Sequence, residues 1–482
     1  MATPRMFQLA KGKPIIPEPD KATATIVRRQ VEEVIRMALR GHEGDRVITS
    51  SRELTDENGS HLIRYTDWRV GRDLSVQPTN LDPDMALYDW QDLEITSPAL
   101  FATEKSFAEV HHVLTAICNN FWVFAPETAG LHIHYGRGKD WIPIHHLRRI
   151  AAFLFAADPI LTQMHPPHRR GREWRDYCLS NRHYSTLAYG ISSAQVGRHL
   201  EVGDLDEGHY KEDLVTSRPG SATKPKPEKK KGPKFIPIFK PGTLEGYKFD
   251  KDFFNSGRYA WAEEGEFLPG RQVGKSLDII TAVRELLSAP SAPVISTLMQ
   301  HWRITRCAYN FLAYDVERYG AVQLYGARLR AQPKRTIEFR QATGTVNADE
   351  VVAHARIAVR LCEFACETDI NALWIMILDF VQAEKHPAWY DVFNLLFELG
   401  LVDEARVIQR QIAKQRGIEI INEDLGTFKA PPVPPSRWSR FVSWLSNPLS
   451  SQPEPGQRDN PPETNAEISS NIAYRGMARL YR

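Results

Sequence analysis

Two short stretches set the terms on which this chain can fold. "LHIHY" at 131–135 and "TIEFR" at 336–340 both alternate between polar and apolar residues. Strand side chains point to opposite faces with period two. Each stretch therefore reads as a strand with one polar face and one apolar face. In the first, His132 and His134 share a face, and Leu131, Ile133 and Tyr135 take the other. In the second, Glu338 and Arg340 share a face at the same spacing. If both strands belong to one sheet, two imidazoles, a carboxylate and a guanidinium converge on its open side.

The segments between them have a different period. Ile26, Val27, Val31, Val34, Ile35 and Leu39 recur at helical spacing and predict a helix over about 23–40. "WQDLEITSPAL" predicts a strand over 90–100, and an amphipathic helix follows over 103–119. Pro143 starts a further helix, and another covers 275–287. "KRTIEFRQATGTV" reads as a strand over 334–346 closed by a glycine turn. Asn347 then caps a helix reaching about 369, with Glu350 three residues on in a variant of the capping box. Two or three more helices fill 371–417, and no internal repeat interrupts the order. The pattern predicts an α+β fold, an antiparallel sheet with inserted helices and a helical C-terminal region.

Composition bounds the partners. The 482 residues suggest two domains, or one large domain with insertions and tails. Sixty-one basic residues against 59 acidic ones leave a net charge of +2, which argues for neither nucleic acid nor membrane as a partner. The start has no apolar core of a secretory signal, and the densest apolar run, "NALWIMILDFV" at 371–381, is too short to span a bilayer. Cys118, Cys178, Cys307, Cys362 and Cys366 lack tight paired spacing and read as buried thiols in a reducing compartment, cytosolic or nuclear. Residues 1–22 and most of 429–482 read as disordered, and 216–242 as a Lys/Pro-rich insertion loop between two parts of one domain, 23–215 and 243–428. Within the tail, "SRWSRFVSWLS" at 436–446 reads as a short amphipathic docking helix. The oligomeric state stays open.

Four pieces carry candidate chemistry. "DLEITSP" offers Glu94, and "GLHIHYG" offers His132 and His134. "MHPPHRRG" offers His165, His168, Arg169 and Arg170, and "TIEFRQATGT" offers Glu338 and Arg340. Carboxylate oxygens suit Mg²⁺ or Mn²⁺, and arginines grip phosphate or carboxylate in a fork. The mixture suits phosphoryl chemistry on a carboxylic acid. Each piece has a plainer reading: Glu-x-Arg as a surface ion pair, His-x-His as polar residues facing water. A zinc hydrolase is a further alternative, with a third ligand drawn from His165, His168, His183 or His301.

Taken in order, "DLSV", "DLEITSPAL", "TAGLHIHYG", "HPPHR", "CAYNF" and "TIEFRQATGT" resemble the amidoligase family, especially its fungal members, over about 60–370. Those proteins are similar to glutamine synthetase and gamma-glutamylcysteine synthetase. The resemblance implies a glutamine synthetase-like curved antiparallel sheet that holds ATP and Mg²⁺ or Mn²⁺. It implies that a carboxylate, of a small molecule or a peptide, is phosphorylated and then attacked by an amine. Carried over residue by residue, it makes Glu94, His132, His134 and Glu338 metal ligands. It places His132, His134 and Arg340 on the nucleotide, Arg340 on the transferring phosphate, and Arg169 on phosphate or the substrate carboxylate. The chain departs from the family in lacking, within its first 60 residues, a strand of the type Gly-[ILV]-Glu-x-Glu. Glu32 and Glu33 lie on a predicted helix and point in different directions. The resemblance thus implies either a ligase, weakened by that loss, or an inactive relative that keeps the fold for binding.

Overall fold

A computed structural model describes residues 2–4, 21–40, 49–50, 54–55, 61–62, 67–73, 75–77, 88–138, 140–170, 177–199, 238–239, 244, 277–301, 306–314, 336–386 and 390–420. Its strands are β1 (Ala2–Pro4), β2 (Thr49–Ser50), β3 (Leu54–Thr55), β4 (His61–Leu62), β5 (Arg69–Gly71), β6 (Tyr88–Trp90), β7 (Glu94–Thr96), β8 (Ile133–Gly136), β9 (Tyr309–Asn310) and β10 (Thr336–Phe339). Its helices are α1 (Lys21–Ala38), α2 (Glu104–Asn120), α3 (Ile144–Leu161), α4 (Asn181–Tyr184), α5 (Ser193–His199), α6 (Ile279–Ser288), α7 (Ala292–Met299), α8 (Ala348–Glu367), α9 (Ile370–Lys385), α10 (Val392–Glu398) and α11 (Val402–Arg416).

The fold is α+β with small sheets. One has the order β8-β10-β9 and is antiparallel throughout. A second has the order β2-β5-β7, with β2 parallel and β7 antiparallel to β5. β1 pairs with β6, and β3 with β4.

α3 is the axis of the main core. Its run "IAAFLFAADPIL" is apolar nearly all round, and a helix of that kind has to be buried on every side. Ile150 to Leu161 are all buried, under α6, α7, α8, α9 and α10. Phe153 sits between Phe364 and Phe380, with centroids 5.4 and 5.7 Å away. Asp158, fully buried on the same helix, accepts hydrogen bonds from Ser180 Oγ and, at 3.0 Å, from the Arg182 amide. α8 lays its apolar face over α3 and β8, and α11 packs along its other side.

A smaller core lies at the N-terminal end. Val27, Val31 and Ile35 of α1 meet Val113 and Ile117 of α2, with Trp68 and Val70. Val70 brings β5 into this core. The buried Trp68 donates its indole N–H to Glu109 at 3.1 Å, so its polar end is satisfied. α2 joins the two cores by packing on α8, and His111 lies 3.0 Å from Asp349 across that joint.

Several predicted elements fall close to their places: α1 for 23–40, α2 for 103–119, α6 for 275–287, and three helices over 371–417. Other details differ. The strand expected over 90–100 is two strands in two sheets, β6 and β7. The strand expected over 334–346 runs only from Thr336 to Phe339 before turning. Asn347 caps α8 by accepting from the Asp349 and Glu350 amides at 2.9 and 3.4 Å. The capping box does not close, because Glu350 accepts instead from Thr345 Oγ1 at 2.6 Å and Gln411 at 3.0 Å. Ala2–Pro4, within the segment expected to be disordered, pairs with Tyr88–Trp90. Ile238 and Phe239, inside the expected insertion loop, are buried in the main core, with the Phe239 ring 5.7 Å from Phe393. The remainder of 216–237, and the tail from 421 with its 436–446 motif, lie outside the described residues. All five cysteines are free thiols, with Cys178, Cys307 and Cys362 buried. Among the described residues no helix is long and apolar enough to cross a membrane.

Candidate functional site

The sheet β8-β10-β9 has one face turned to the core. Ile133 and Tyr135 stand opposite Phe339 and Ile337, and Tyr309 lies opposite Phe339, their rings 5.5 Å apart. Alternation then sends the polar residues the other way. Glu338 pairs with His134 on one side and Asn310 on the other. Polar pairing continues past the strand ends: Leu131 donates its N–H to the Ala342 carbonyl at 3.0 Å, and Gly344 to Ala129 at 2.8 Å.

Glu338 is the hub. Its Oε1 accepts from Arg340 at 2.5 Å and lies 3.4 Å from His132 Nδ1 and 3.8 Å from His134 Nε2. Its Oε2 accepts from Asn310 Nδ2 at 2.9 Å. The Asn310 side chain is fixed in turn, because its Oδ1 accepts from the Leu312 amide at 2.9 Å. His134 Nδ1 lies 3.0 Å from Thr336 Oγ1. The carboxylate is the most shielded member, its side chain 14% exposed against 34% for His132 and 31% for His134.

Arg169 approaches from the turn Pro167–Arg169. Its guanidinium donates to the Ala129 carbonyl, and at 3.3 Å to that of Thr128, while Tyr177 stacks 5.1 Å below. A Cβ at Gly130 would stand 3.0 Å from both Arg169 Nη1 and His132 Nε2, so the first glycine of "GLHIHYG" leaves room for the arginine. At Gly344 a Cβ would meet the Ala129 Cβ at 2.6 Å, closer than real atoms come. These two glycines let the His strand, the Arg169 turn and the segment after Arg340 press together.

Charge shapes the cluster. Desolvation, reinforced by Arg340 and opposed by Glu338, pushes the His132 imidazole down to about 4, so it is neutral at pH 7. Burial also lowers the Arg169 guanidinium from its ordinary value, and Arg340 adds to that. The cluster thus holds one carboxylate, paired with Arg340, and a second guanidinium, Arg169, that acts on the His132 side. The Nε atoms of Arg340 and Arg169 are buried without a hydrogen-bond partner. Buried donors of this kind are costly until an acceptor reaches them. The arrangement suits an anion with several oxygens, a carboxylate or a phosphate.

A hard dication fits less well. Mg²⁺ wants several oxygen ligands, and here one carboxylate, already held by Arg340 and Asn310, stands with two imidazoles. Among the described residues no group of three or more His, Cys, Asp or Glu side chains is arranged to hold a metal ion. The zinc alternative needs a third ligand, and its candidates go elsewhere. His165 is buried with its ring stacked 5.7 Å from His354, and His168 meets Tyr177 at 5.9 Å. His183 is buried beside Tyr184, and His301 beside Tyr189. Arg170 donates to the His165 carbonyl at 3.3 Å.

The structure therefore brings together His132, His134, Glu338, Arg340 and Arg169. Glu94 is a correction. It lies on β7 opposite Gly71, exposed, in a different sheet from Glu338. The resemblance had made it a metal ligand beside Glu338, but β7 is drawn to β5 and the small core. Two contributors had no assigned role in the sequence reading. Asn310 belongs to the quoted word "CAYNF", and the i, i+2 pattern of "TIEF" puts Thr336 on the Glu338 face. Both were visible as words but not as neighbours of Glu338.

Residues 23–191 match the model of a family described as "Putative amidoligase enzyme". The match includes Glu94, His132, His134 and Arg169 and stops well before β9 and β10, which supply Asn310, Glu338 and Arg340. No curated protein and no solved structure matches the chain.

Proposed function

We propose that the chain is a carboxylate–amine ligase of the amidoligase type, using ATP to activate a carboxylic acid as an acyl phosphate for attack by an amine. One observation carries the reading: two guanidinia whose Nε atoms are buried and unpartnered, Arg169 and the partly exposed Arg340, converge with Glu338 and a neutral His132 beside one sheet face. The family match over residues 23–191, which carry the two histidines, supports it. A glutamine synthetase-like fold and Mg²⁺ or Mn²⁺ belong to the same proposal. The described residues alone do not make a Mg²⁺ site, so no step is routed through the metal.

When bound, ATP supplies the phosphoryl group that makes a carboxylate oxygen a leaving group. The chain's own residues supply the rest. Arg340 and Arg169 hold the oxygens on which negative charge collects, as donors fixed beforehand by their own contacts. Glu338 keeps Arg340 aimed and offsets part of its charge. His132, uncharged at neutral pH, leaves the cationic work to the arginines. Asn310 and Thr336 hold Glu338 and His134 in place, which keeps the cluster preorganised.

The test is ADP release from the full chain with mixed carboxylic acids and amines at millimolar Mg²⁺. ADP that forms only when both co-substrates are present supports ligation. A second reading is favoured by the engagement of both Glu338 oxygens: a relative that binds an anion without ligating it. It expects a thermal shift with nucleotide or phosphate, lost in Arg340→Gln, and no ADP.

A further inference from the structure

One apolar surface lies away from this cluster. Phe121, Trp122 and Val123, where the chain leaves α2, and Val346 and Asn347 at the start of α8 line a shallow, open groove together with Cys118. Trp122 is 63% exposed and Val346 39%. The walls are tied together: Cys118 Sγ donates to the Val346 carbonyl at 3.2 Å.

The chain's own C-terminal direction brings it to this place. α11 runs antiparallel to α8, since Arg356 meets Glu404 while His354 and Glu350 both meet Gln411. Its C-terminal end therefore lies at the start of α8, whose cap Asn347 lines the groove. Ile418 and Ile420 still pack on the main core, and residues 421–482 follow. Sixteen residues beyond Ile420 begins "SRWSRFVSWLS", bounded by Pro435 and Pro448. Trp438, Phe441, Val442 and Leu445 stand at i, i+3, i+4 and i+7, one stripe of a helix, with Ser436 in position to cap it. A linker of that length reaches roughly 50 Å when extended and about 20–25 Å as a coil.

We infer that residues 436–446 dock in the groove between the end of α2 and the start of α8, laying Trp438, Phe441, Val442 and Leu445 against Trp122 and Val346. Tethering makes this weak contact effective, because a segment joined to the same chain by a short linker meets the groove at an effective concentration of about millimolar. The groove also borders the segment that runs back from Val346 through Gly344, itself pressed on Ala129, to Arg340. An occupant there braces the far end of the strand that carries the site.

The test places a photo-cross-linking p-benzoylphenylalanine at Phe441 in the full chain, mixed with an isotope-labelled copy. Cross-links within one copy to 118–123 or 346–347 are the expected result. Trp122→Ala should lower their yield about tenfold, the effect of losing some 1.4 kcal/mol of contact, while Trp141→Ala, on another surface, leaves it unchanged. Val346→Ser repeats the test from the other wall. Cross-links between labelled and unlabelled copies would assign the groove to a second chain and overturn the inference. Cross-links elsewhere, none at all, or a yield indifferent to both groove variants would also overturn it.

Discussion

Glu338 and Glu94 start from the same chemistry, a carboxylate on a strand of three or four residues in a three-stranded sheet. Their surroundings differ. β10 is the central strand of its sheet, and both neighbours send polar partners to Glu338, His134 from β8 and Asn310 from β9. β7 is an edge strand, and Glu94 stands opposite Gly71, which has no side chain to offer. The backing differs too. Ile337, fully buried, anchors β10 in the large core around α3, whereas the sheet of β7 leans on the small core through Val70. A carboxylate becomes a site when its strand is central and its neighbours carry polar groups at the same register. A carboxylate on a strand is not enough by itself.

The largest test of this contrast is in the cores. Ile337→Ala empties a fully buried place under the cluster and should cost about 2–5 kcal/mol in urea denaturation. Val70→Ala removes fewer carbons from the smaller core and should cost about 1.6 kcal/mol by transfer alone. Equal losses would mean that the two sheets are backed equally, against the contrast drawn here.

Next comes the pair of carboxylates. Glu338→Gln keeps the shape but removes the charge that aims Arg340, and ligation should fall by about 10²-fold, the scale of one preorganised electrostatic contact. Glu94→Gln should leave the rate within a few-fold. The measurement is ADP release with melting temperature as control. A collapse of similar size in both variants would return Glu94 to the site and break the comparison.

Gly344→Ala sharpens it from the backbone side. The new Cβ would press on the Ala129 Cβ at 2.6 Å, and the carbonyl of Ala129 holds Arg169. Overpacking of this kind costs about 1–3 kcal/mol, and loss of anion binding should accompany it. Gly400→Ala meets no atom within 4 Å but sits at φ +77°, so it should cost stability without touching the anion site. Equal anion binding in both variants would remove Gly344 from the site.

Much of this was legible in the sequence, for a definite reason. Period-two alternation fixes which side chains share a face, so His132 with His134 and Glu338 with Arg340 could be paired before any fold was known. Helical spacing did the same for α1, α2 and α8. What alternation cannot fix is which strands become neighbours. The register that sets Asn310 beside Glu338, and the assignment of Glu94 to the other sheet, depend on contacts between residues far apart in the chain. The burial of Ile238 and Phe239 was hidden for another reason: a Lys/Pro-rich neighbourhood masked two apolar anchors at its end.

A last test separates the two regions by acid. His132 in the fold takes up a proton only at about 4, while an unfolded histidine does so near 6.5. Between those values the unfolded chain binds the extra proton, so this group makes stability rise with pH across that window and fall as the solution is acidified from 6.5 towards 4. Below about 4 both states are protonated and the loss is complete. Glu32, on α1 in the small core, works in the opposite sense. Burial raises its pKa, so the folded chain holds its proton to higher pH and acid favours the fold there. The main core contains groups of both kinds: burial lowers His354 to about 4 and raises Asp158 to about 6. The whole-chain curve therefore mixes signs, and the informative quantity is the difference between the wild type and a single variant. His132→Gln should lose less stability than the wild type between pH 6.5 and 4, and Glu32→Gln should lose more, each read as melting temperature against pH. Identical slopes for His132→Gln and the wild type would mean that the imidazole is free to charge within the cluster. Desolvation, with the Arg340 guanidinium behind it, would then not govern the imidazole, and the reading of this sheet face as a shielded, cationic site would lose its support.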